Sequence, residues 1–200
     1  MPWWGVVSSV LAPVLLIGGW TVAADLQPAP FDPISRTIST LAADGTPHRW
    51  LITVALFGVG LADVLTGLAL RSAARPGQVL LIAGGICGML VAANPQPQQG
   101  NSPVHVLFAV IGVILLTIWP VTCIKREPQA PLAFRPTVAC ASAGLTLCLL
   151  LWFTAELPGG SQLGLAERIL AADQALWPLA VVLTVLTLKR QAAGQVSGAD

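Results

Sequence analysis

The sequence predicts an all-α, polytopic integral membrane protein: a six-transmembrane-helix bundle with a short extracytoplasmic amphipathic helix. Of its 200 residues, 55% are hydrophobic and only 10% are charged, whereas soluble globular domains carry about 25% charged residues. The mean hydropathy is +0.78. Six apolar segments also approach the length of about 20 residues that a helix needs to cross a bilayer.

The six predicted spans fill most of the chain and leave no room for a separate soluble domain. We therefore expect one membrane domain over residues 1–200. The third span is short, and it crosses either with little tilt or with residues taken from its flanks. The spans are about 4–24, 51–70, 79–93, 104–124, 137–153 and 169–188.

Lys and Arg residues are concentrated in alternate connectors, which predicts the orientation of the bundle. One side of the predicted bundle carries seven of them: Arg71, Arg75, Lys125, Arg126, Arg135, Lys189 and Arg190. The other side carries Arg36, Arg49 and Arg168. Because basic connectors stay in the cytoplasm, we predict a multi-pass protein of the cell membrane with both termini cytoplasmic.

The first external connector predicts an amphipathic helix over about residues 33–44. Asp32 followed by Pro33 is typical of a helix start, and Gly45 is typical of a helix end. Ile34, Ile38 and Leu41 recur at helical spacing and give this helix an apolar side. The candidates for binding a lipid or another ligand are the polar residues of this helix and the cluster after it: Ser35, Arg36, Ser39, Arg49 and Trp50.

Four polar residues near the external ends of the spans are candidate catalytic groups: His48, Asn94, His105 and Asp173. The bundle can bring them to a similar depth, where a histidine works as acid or base near neutral pH. No H-x-x-x-H or H-E-x-x-H spacing is present, so we expect no metal and no other cofactor. The hydroxyls of Ser39 and Thr40 lack a G-x-S-x-G elbow and are interpreted as the wet side of the amphipathic helix.

Asp63 is the most isolated charge, because it lies deep in the second predicted span with no Lys or Arg in any span. An ionisable residue at such a depth is costly and is by default a functional hypothesis. Three interpretations stay open. They are a structural hydrogen bond, for example to Thr66, a proton or ion pathway, and a site in the inner half of the bundle.

Small residues within the spans indicate close helix packing. Gly84 and Gly88 form a G-x-x-x-G pattern, which serves either packing within the chain or a homodimer seam. We expect membrane lipids, and a homodimer or other membrane subunits, as partners. The formal net charge of +1 gives no basis for a nucleic-acid partner.

Several short motifs stand in a characteristic order around the second, third and fourth spans. They are Asp32-Pro33-Ile34-Ser35, then Ser39-Thr40-Leu41, then Gly88 leading to Asn94-Pro95, and finally His105. This order resembles the uncharacterised prokaryotic membrane family called domain of unknown function 998, over roughly residues 5–190. Members of that family usually have an aromatic or aliphatic residue where this chain has Asn94. The resemblance implies a six-helix bundle and brings no agreed activity.

The residues support three hypotheses about function. The first is binding of lipid or partner subunits through the extracytoplasmic face, which the sparse polar residues favour. The alternative is a small intramembrane enzyme acting on a lipid at the outer leaflet, with His105 as acid or base, oriented by Asp173 or Asn94. The second alternative is proton- or ion-coupled transport involving Asp63.

Overall fold

The computed structural model describes residues 1–197, which form seven α-helices and one short 3-10 turn, Leu132–Phe134. All helices except α2 are long and apolar enough to cross a membrane. No strand is found in this part of the chain, so the predicted six-span helical bundle is confirmed. The helices are α1 (Trp3–Asp25), α2 (Ile38–Leu41), α3 (Arg49–Ala69), α4 (Arg75–Ala93), α5 (Pro103–Thr122), α6 (Pro136–Glu156) and α7 (Leu163–Ser197).

The helix bounds match the predicted spans to within a few residues, except at the start of α4 and at both ends of α7. Helix α4 begins at Arg75 because Pro76 stands in its first turn, where the fixed φ of proline favours helix. Helix α7 begins six residues before its predicted start, after a turn in which Gly159 has φ +98°. Glu167 and Arg168 therefore lie inside a helix.

The six long helices form a closed ring in which each helix contacts its two neighbours. The order is α1, α3, α4, α5, α6 and α7, and α7 returns to α1. Helices α3 and α4 approach most closely at Gly60 and Gly85, where an added Cβ would collide with the opposite backbone. Gly84 packs against Leu116 and Gly88 against Gly60, so the G-x-x-x-G glycines pack within the chain.

The bundle has two polar ends, and we name them by their connectors. The loop face contains connectors 26–48, 94–102 and 157–162. The terminal face contains connectors 70–74 and 123–135, the start of α1 and the final turns of α7. One apolar cluster around Trp119 and Phe134 supports the terminal face, and a second, with Ile38, Leu41 and Ile52, supports the loop face.

Helix α2 has only four residues and is therefore shorter than the amphipathic helix predicted over residues 33–44. Residues 33–36 form a turn instead. The carbonyls of Pro33, Ile34 and Arg36 accept hydrogen bonds from the start of α7, so they do not continue a helix. Thr37 is then extended and caps α2 with its side chain.

Candidate functional site at the loop face

Segment 31–37 is held against the start of α7 by Arg168, whose side chain is buried. Its Nη1 donates to the main-chain carbonyls of Pro33 at 2.8 Å, Arg36 at 2.7 Å and Gly164 at 2.9 Å. A Cβ at Gly164 would lie 2.7 Å from the carbonyl oxygen of Pro33. A glycine at this position therefore allows the segment to lie directly on α7.

The segment also has internal contacts that fix its shape. The hydroxyl of Ser35 and the main-chain N–H two residues after Asp32 both donate to the carboxylate of Asp32. These hydrogen bonds, that of Ser35 first, hold the pKa of Asp32 below its ordinary value. The ring centroid of Phe31 lies 4.6 Å from the guanidinium carbon of Arg36, a cation–π distance.

Glu167 holds the start of α2. Its carboxylate accepts hydrogen bonds from the main-chain N–H of Ile38 and, at 3.3 Å, from the hydroxyl of Ser39. A carboxylate at this end of a helix satisfies N–H groups that have no acceptor within the helix. Adjacent residues of α7 therefore hold the loop in two ways, because Arg168 donates to its carbonyls and Glu167 accepts from one N–H and one hydroxyl.

His105 lies under α2, in the first turn of α5, and is only 3% exposed. Its Nδ1 lies 2.8 Å from the main-chain oxygen of Asn94, and its Nε2 lies 3.3 Å from the hydroxyl oxygen of Ser39. A carbonyl oxygen only accepts, so Nδ1 carries a proton and donates. In this tautomer Nε2 has a free lone pair and can accept a hydrogen bond from the hydroxyl of Ser39.

The connector between α4 and α5 fixes the position of Asn94. The side-chain amide of Asn94 donates to the carbonyl of Leu90 at 2.8 Å, at the end of α4. Further along, the main-chain oxygen of Gln96 accepts from the N–H of Asp44 at 2.8 Å. The hydroxyl of Ser102 caps α5. The group that orients His105 is therefore part of a hydrogen-bonded loop.

We call Ser39 and His105 the loop-face dyad. Ser39 is half-buried and has two acceptors at 3.3 Å, the Nε2 of His105 and the carboxylate of Glu167. A hydroxyl beside an oriented imidazole is an arrangement that can activate serine as a nucleophile. The sequence predicts that Ser39 lies on the solvent-exposed side of a helix. In the structure its hydroxyl instead faces the buried ring of His105.

The other predicted catalytic candidates lie apart from the dyad. Asp173 accepts a hydrogen bond from the hydroxyl of Thr146 at 2.6 Å, and the structure gives it no bond to His105. His48 is exposed and starts α3 in the left-handed conformation, with φ 56°. Of the two residues predicted to orient His105, only Asn94 contacts its ring, and it does so through its main-chain oxygen.

The predicted ligand-binding residues are divided in the same way. Ser39 belongs to the dyad, whereas Ser35 and Arg36 are exposed on the docked segment. Arg49 forms an exposed ion pair with Asp44 at 2.8 Å. Trp50 is 61% exposed at the start of α3.

Asp63 lies on α3, buried beside the α3–α4 contact. Its Oδ1 has no hydrogen-bond partner among the described residues. The suggested hydrogen bond to Thr66 is absent, because the hydroxyl of Thr66 bonds that of Ser8 at 2.8 Å. Asp63 is therefore a buried polar group separate from the loop-face dyad.

Glu167 and Arg168 support the candidate site and were not among the residues predicted from the sequence. The sequence feature that could have identified them is an acidic residue next to a basic one at the start of an apolar run. Charges at such a position are costly unless they are paired or hydrogen-bonded. Residues 1–197 contain no group of three His, Cys, Asp or Glu side chains suited to a metal ion.

Comparison with known proteins gives a family and no function. The family described as "Protein of unknown function (DUF998)" matches residues 10–184 of the chain. No curated protein and no solved structure matches this chain. The matched region includes every segment that builds the loop-face dyad and its supports.

Proposed function

We propose that this chain, which belongs to the DUF998 family, is an intramembrane enzyme that hydrolyses an ester bond of a lipid at the loop face. One observation carries the proposal. The hydroxyl of Ser39 lies 3.3 Å from Nε2 of His105, whose other nitrogen is fixed at 2.8 Å by the main-chain oxygen of Asn94. This geometry supports Ser39 as the nucleophile, His105 as the base and the main-chain oxygen of Asn94 as the orienting group.

In the proposed reaction, Ser39 Oγ attacks the acyl carbonyl carbon while its proton passes to Nε2 of His105. The imidazolium then gives this proton to the departing alcohol oxygen as the ester bond breaks, leaving an acyl-serine. Water attacks the acyl-serine, His105 takes the proton of that water, and the fatty acid leaves as Ser39 regains its hydrogen.

Glu167 has a defined place in this scheme. Its carboxylate accepts a hydrogen bond from the N–H of Ile38, the residue before Ser39. A negatively charged oxygen formed on the substrate needs such N–H donors. We propose that the substrate displaces this carboxylate, so that the N–H which now binds Glu167 stabilises the developing oxyanion.

The surroundings of the dyad support an amphiphilic substrate. Ser39 lies where α2 meets the membrane-spanning helices, and large apolar side chains of the same face are exposed, among them Ile34 at 49% and Trp50 at 61%. Exposed aromatic side chains at the ends of spans prefer the lipid headgroup region. A lipid ester reaches this depth without leaving the bilayer.

The proposal is tested with a fluorophosphonate probe, which reacts with activated serines, on the full chain in nanodiscs. We expect labelling of wild type at Ser39 and none in Ser39→Ala. His105→Ala should slow labelling at least about 100-fold, the usual contribution of a general base. Ser161→Ala is the matched control, because it removes an exposed hydroxyl of the loop face that belongs neither to segment 31–37 nor to the dyad.

Thermal unfolding of each variant separates catalysis from folding. Loss of labelling in His105→Ala at an unchanged melting temperature supports the dyad. If His105→Ala unfolds, Ser39→Ala and Ser39→Cys decide the question, since they change one atom. Equal labelling of wild type and Ser39→Ala, or no labelling of wild type, would overturn the proposal.

A second candidate function is non-catalytic binding of lipid or of partner subunits through the loop face. The observation that favours it is the exposed guanidinium of Arg36 on the docked segment, beside the exposed Ile34. This pairing suits an anionic headgroup above an acyl chain. Lipid retained by wild type and lost in Arg36→Gln, with no serine labelling, would favour this function over hydrolysis.

We further propose that the terminal face is cytoplasmic and the loop face external, in the cell membrane. The support is the excess of basic residues at the terminal face, seven against three. The test uses a variant without its four native cysteines, carrying one new cysteine at Gln98 or at Gln129. An impermeant maleimide added to intact cells should label the cysteine at position 98 only. Labelling of only the cysteine at position 129 would show the opposite orientation and overturn the proposal.

A further inference from the structure

A second polar site lies at the terminal face, away from the dyad. A cleft of about 390 Å³ opens between the start of α1, the end of α3 and the last turns of α7. Arg71 and Lys189 both line it, together with the hydroxyl-bearing Ser72 and the indole of Trp4. The cleft therefore combines two cations, a hydrogen-bonding hydroxyl and an aromatic wall.

No acid balances these cations among the described side chains. The structure gives neither Arg71 nor Lys189 a salt bridge, and the first turn of α1 contains no acidic residue. Two cations that converge on one cleft attract an anion.

The start of α1 adds to this positive potential. Helix α1 has no side-chain cap, and its first N–H groups lack acceptors within the helix. The cleft also lies at headgroup depth, because the neighbouring Trp3 is 76% exposed at the same helix end. A negative ligand at this position comes either from the membrane surface or from the aqueous phase beside it.

We propose that this cleft binds a phosphate group, with Arg71 and Lys189 as its ligands and Ser72 as a hydrogen-bond donor. Phosphate has the tetrahedral negative oxygens that a guanidinium fork and an ammonium group recognise together. Two sources carry this chemistry, the phosphodiester headgroup of an anionic lipid and a free phosphate ester. The site is independent of the proposed ester hydrolysis at the loop face.

The test is native mass spectrometry of the full chain released from nanodiscs that contain phosphatidylglycerol and phosphatidylcholine. We expect one phosphatidylglycerol per protein in wild type. Affinity should fall roughly 30-fold in Arg71→Gln/Lys189→Gln, since a cation near a membrane surface contributes about 1 kcal/mol. The matched control is Arg75→Gln/Arg190→Gln, which removes the same charge from the same face outside the cleft.

The other arms separate the sources and the alternatives. Titration with glycerol phosphate and with inorganic phosphate, followed by the same variants, reports binding of a free phosphate. If Arg71→Gln/Lys189→Gln alone loses binding of a probe, the result supports the site. The probe that is lost, the lipid or the free phosphate, identifies the source of the phosphate group. Equal loss in both double variants, or no adduct with any probe, overturns it. Arg71→Lys/Lys189→Arg keeps both charges and should keep binding, and an unchanged melting temperature of Arg71→Gln/Lys189→Gln excludes misfolding as the cause of its loss.

Discussion

Replacing Arg168 with Met should release segment 31–37 from α7 while leaving the membrane spans folded. The substitution keeps an unbranched apolar stem and removes the hydrogen bonds that the guanidinium donates to the carbonyls of Pro33 and Arg36. A hydrogen bond from a charged donor contributes about 1.5–3 kcal/mol, so the two together contribute at most about 3–6 kcal/mol.

Two features of the structure reduce this figure. Pro33 and Arg36 are exposed, so water replaces part of the lost bonding when Arg168 is absent. The Nη2 of Arg168 is buried without a partner among the described residues, and this costs about 1–3 kcal/mol in the wild type. We therefore expect the free energy of local opening of segment 31–37 to fall by about 2–3 kcal/mol. This change makes the open state roughly 30- to 150-fold more populated.

Hydrogen exchange of the protein in nanodiscs measures this opening directly. The reporting amides are those of Arg36 and Leu165, which are bonded to the carbonyls of Asp32 and Ile34. Their exchange should accelerate by the stated factor in Arg168→Met, while amides within the spans keep their protection.

Arg49→Met is the control for this experiment, because it removes an exposed ion pair with Asp44 that contributes less than about 1 kcal/mol. Unchanged exchange at Arg36 and Leu165 in Arg168→Met, or an equal acceleration in the control, would refute the assignment of Arg168 as the group that holds the segment.

Three further substitutions test other parts of the structure. Gly164→Ala should displace the docked segment and lower the melting temperature, because its Cβ would meet loop backbone, whereas Gly144→Ala has open space and should be neutral or stabilising. Asp63→Asn should stabilise the protein by about 1 kcal/mol or leave it unchanged if this carboxyl is only structural. Loss of proton flux in reconstituted vesicles at unchanged stability would instead identify a transport role. The pKa of Asp32 is lowered in the folded state, so its contribution to docking is complete above its unfolded pKa of about 3.9 and is lost as the pH falls through the folded value. Hydrogen exchange of segment 31–37 should therefore accelerate in strong acid for wild type, and Asp32→Asn should remove that dependence.

The transmembrane architecture was accessible from the sequence because apolar runs report directly which residues leave water. The candidates Asn94 and His105 were also accessible, because polar residues at the ends of apolar spans are few. Their bond was not, because it depends on how the connector before Ser102 folds back over α5. Hydropathy reports the depth of a residue and carries no information about its neighbours across the bundle.

The residues that the sequence reasoning missed show the same limit. The charges of Glu167 and Arg168 moved the predicted start of the last span to about residue 169, although both residues belong to helix α7. Their partners are main-chain groups and a hydroxyl in a connector 128 to 135 residues earlier. The short length of α2 has the same cause, because the carbonyls that bind Arg168 cannot also continue a helix.

The separation of Ser39 and Glu167 along the sequence, 128 positions, also determines when the loop face is completed during synthesis. At about 5–20 residues per second, a ribosome needs on the order of ten seconds to produce the 128 residues between them. During that interval segment 31–37 has left the ribosome, but α7, which binds its carbonyls, does not yet exist. A chain cut short before α7 retains Ser39, Asn94 and His105 but lacks both residues that hold the loop in place. The docked loop therefore forms only after α7 has been synthesised and has entered the membrane, because α7 carries both residues that hold it.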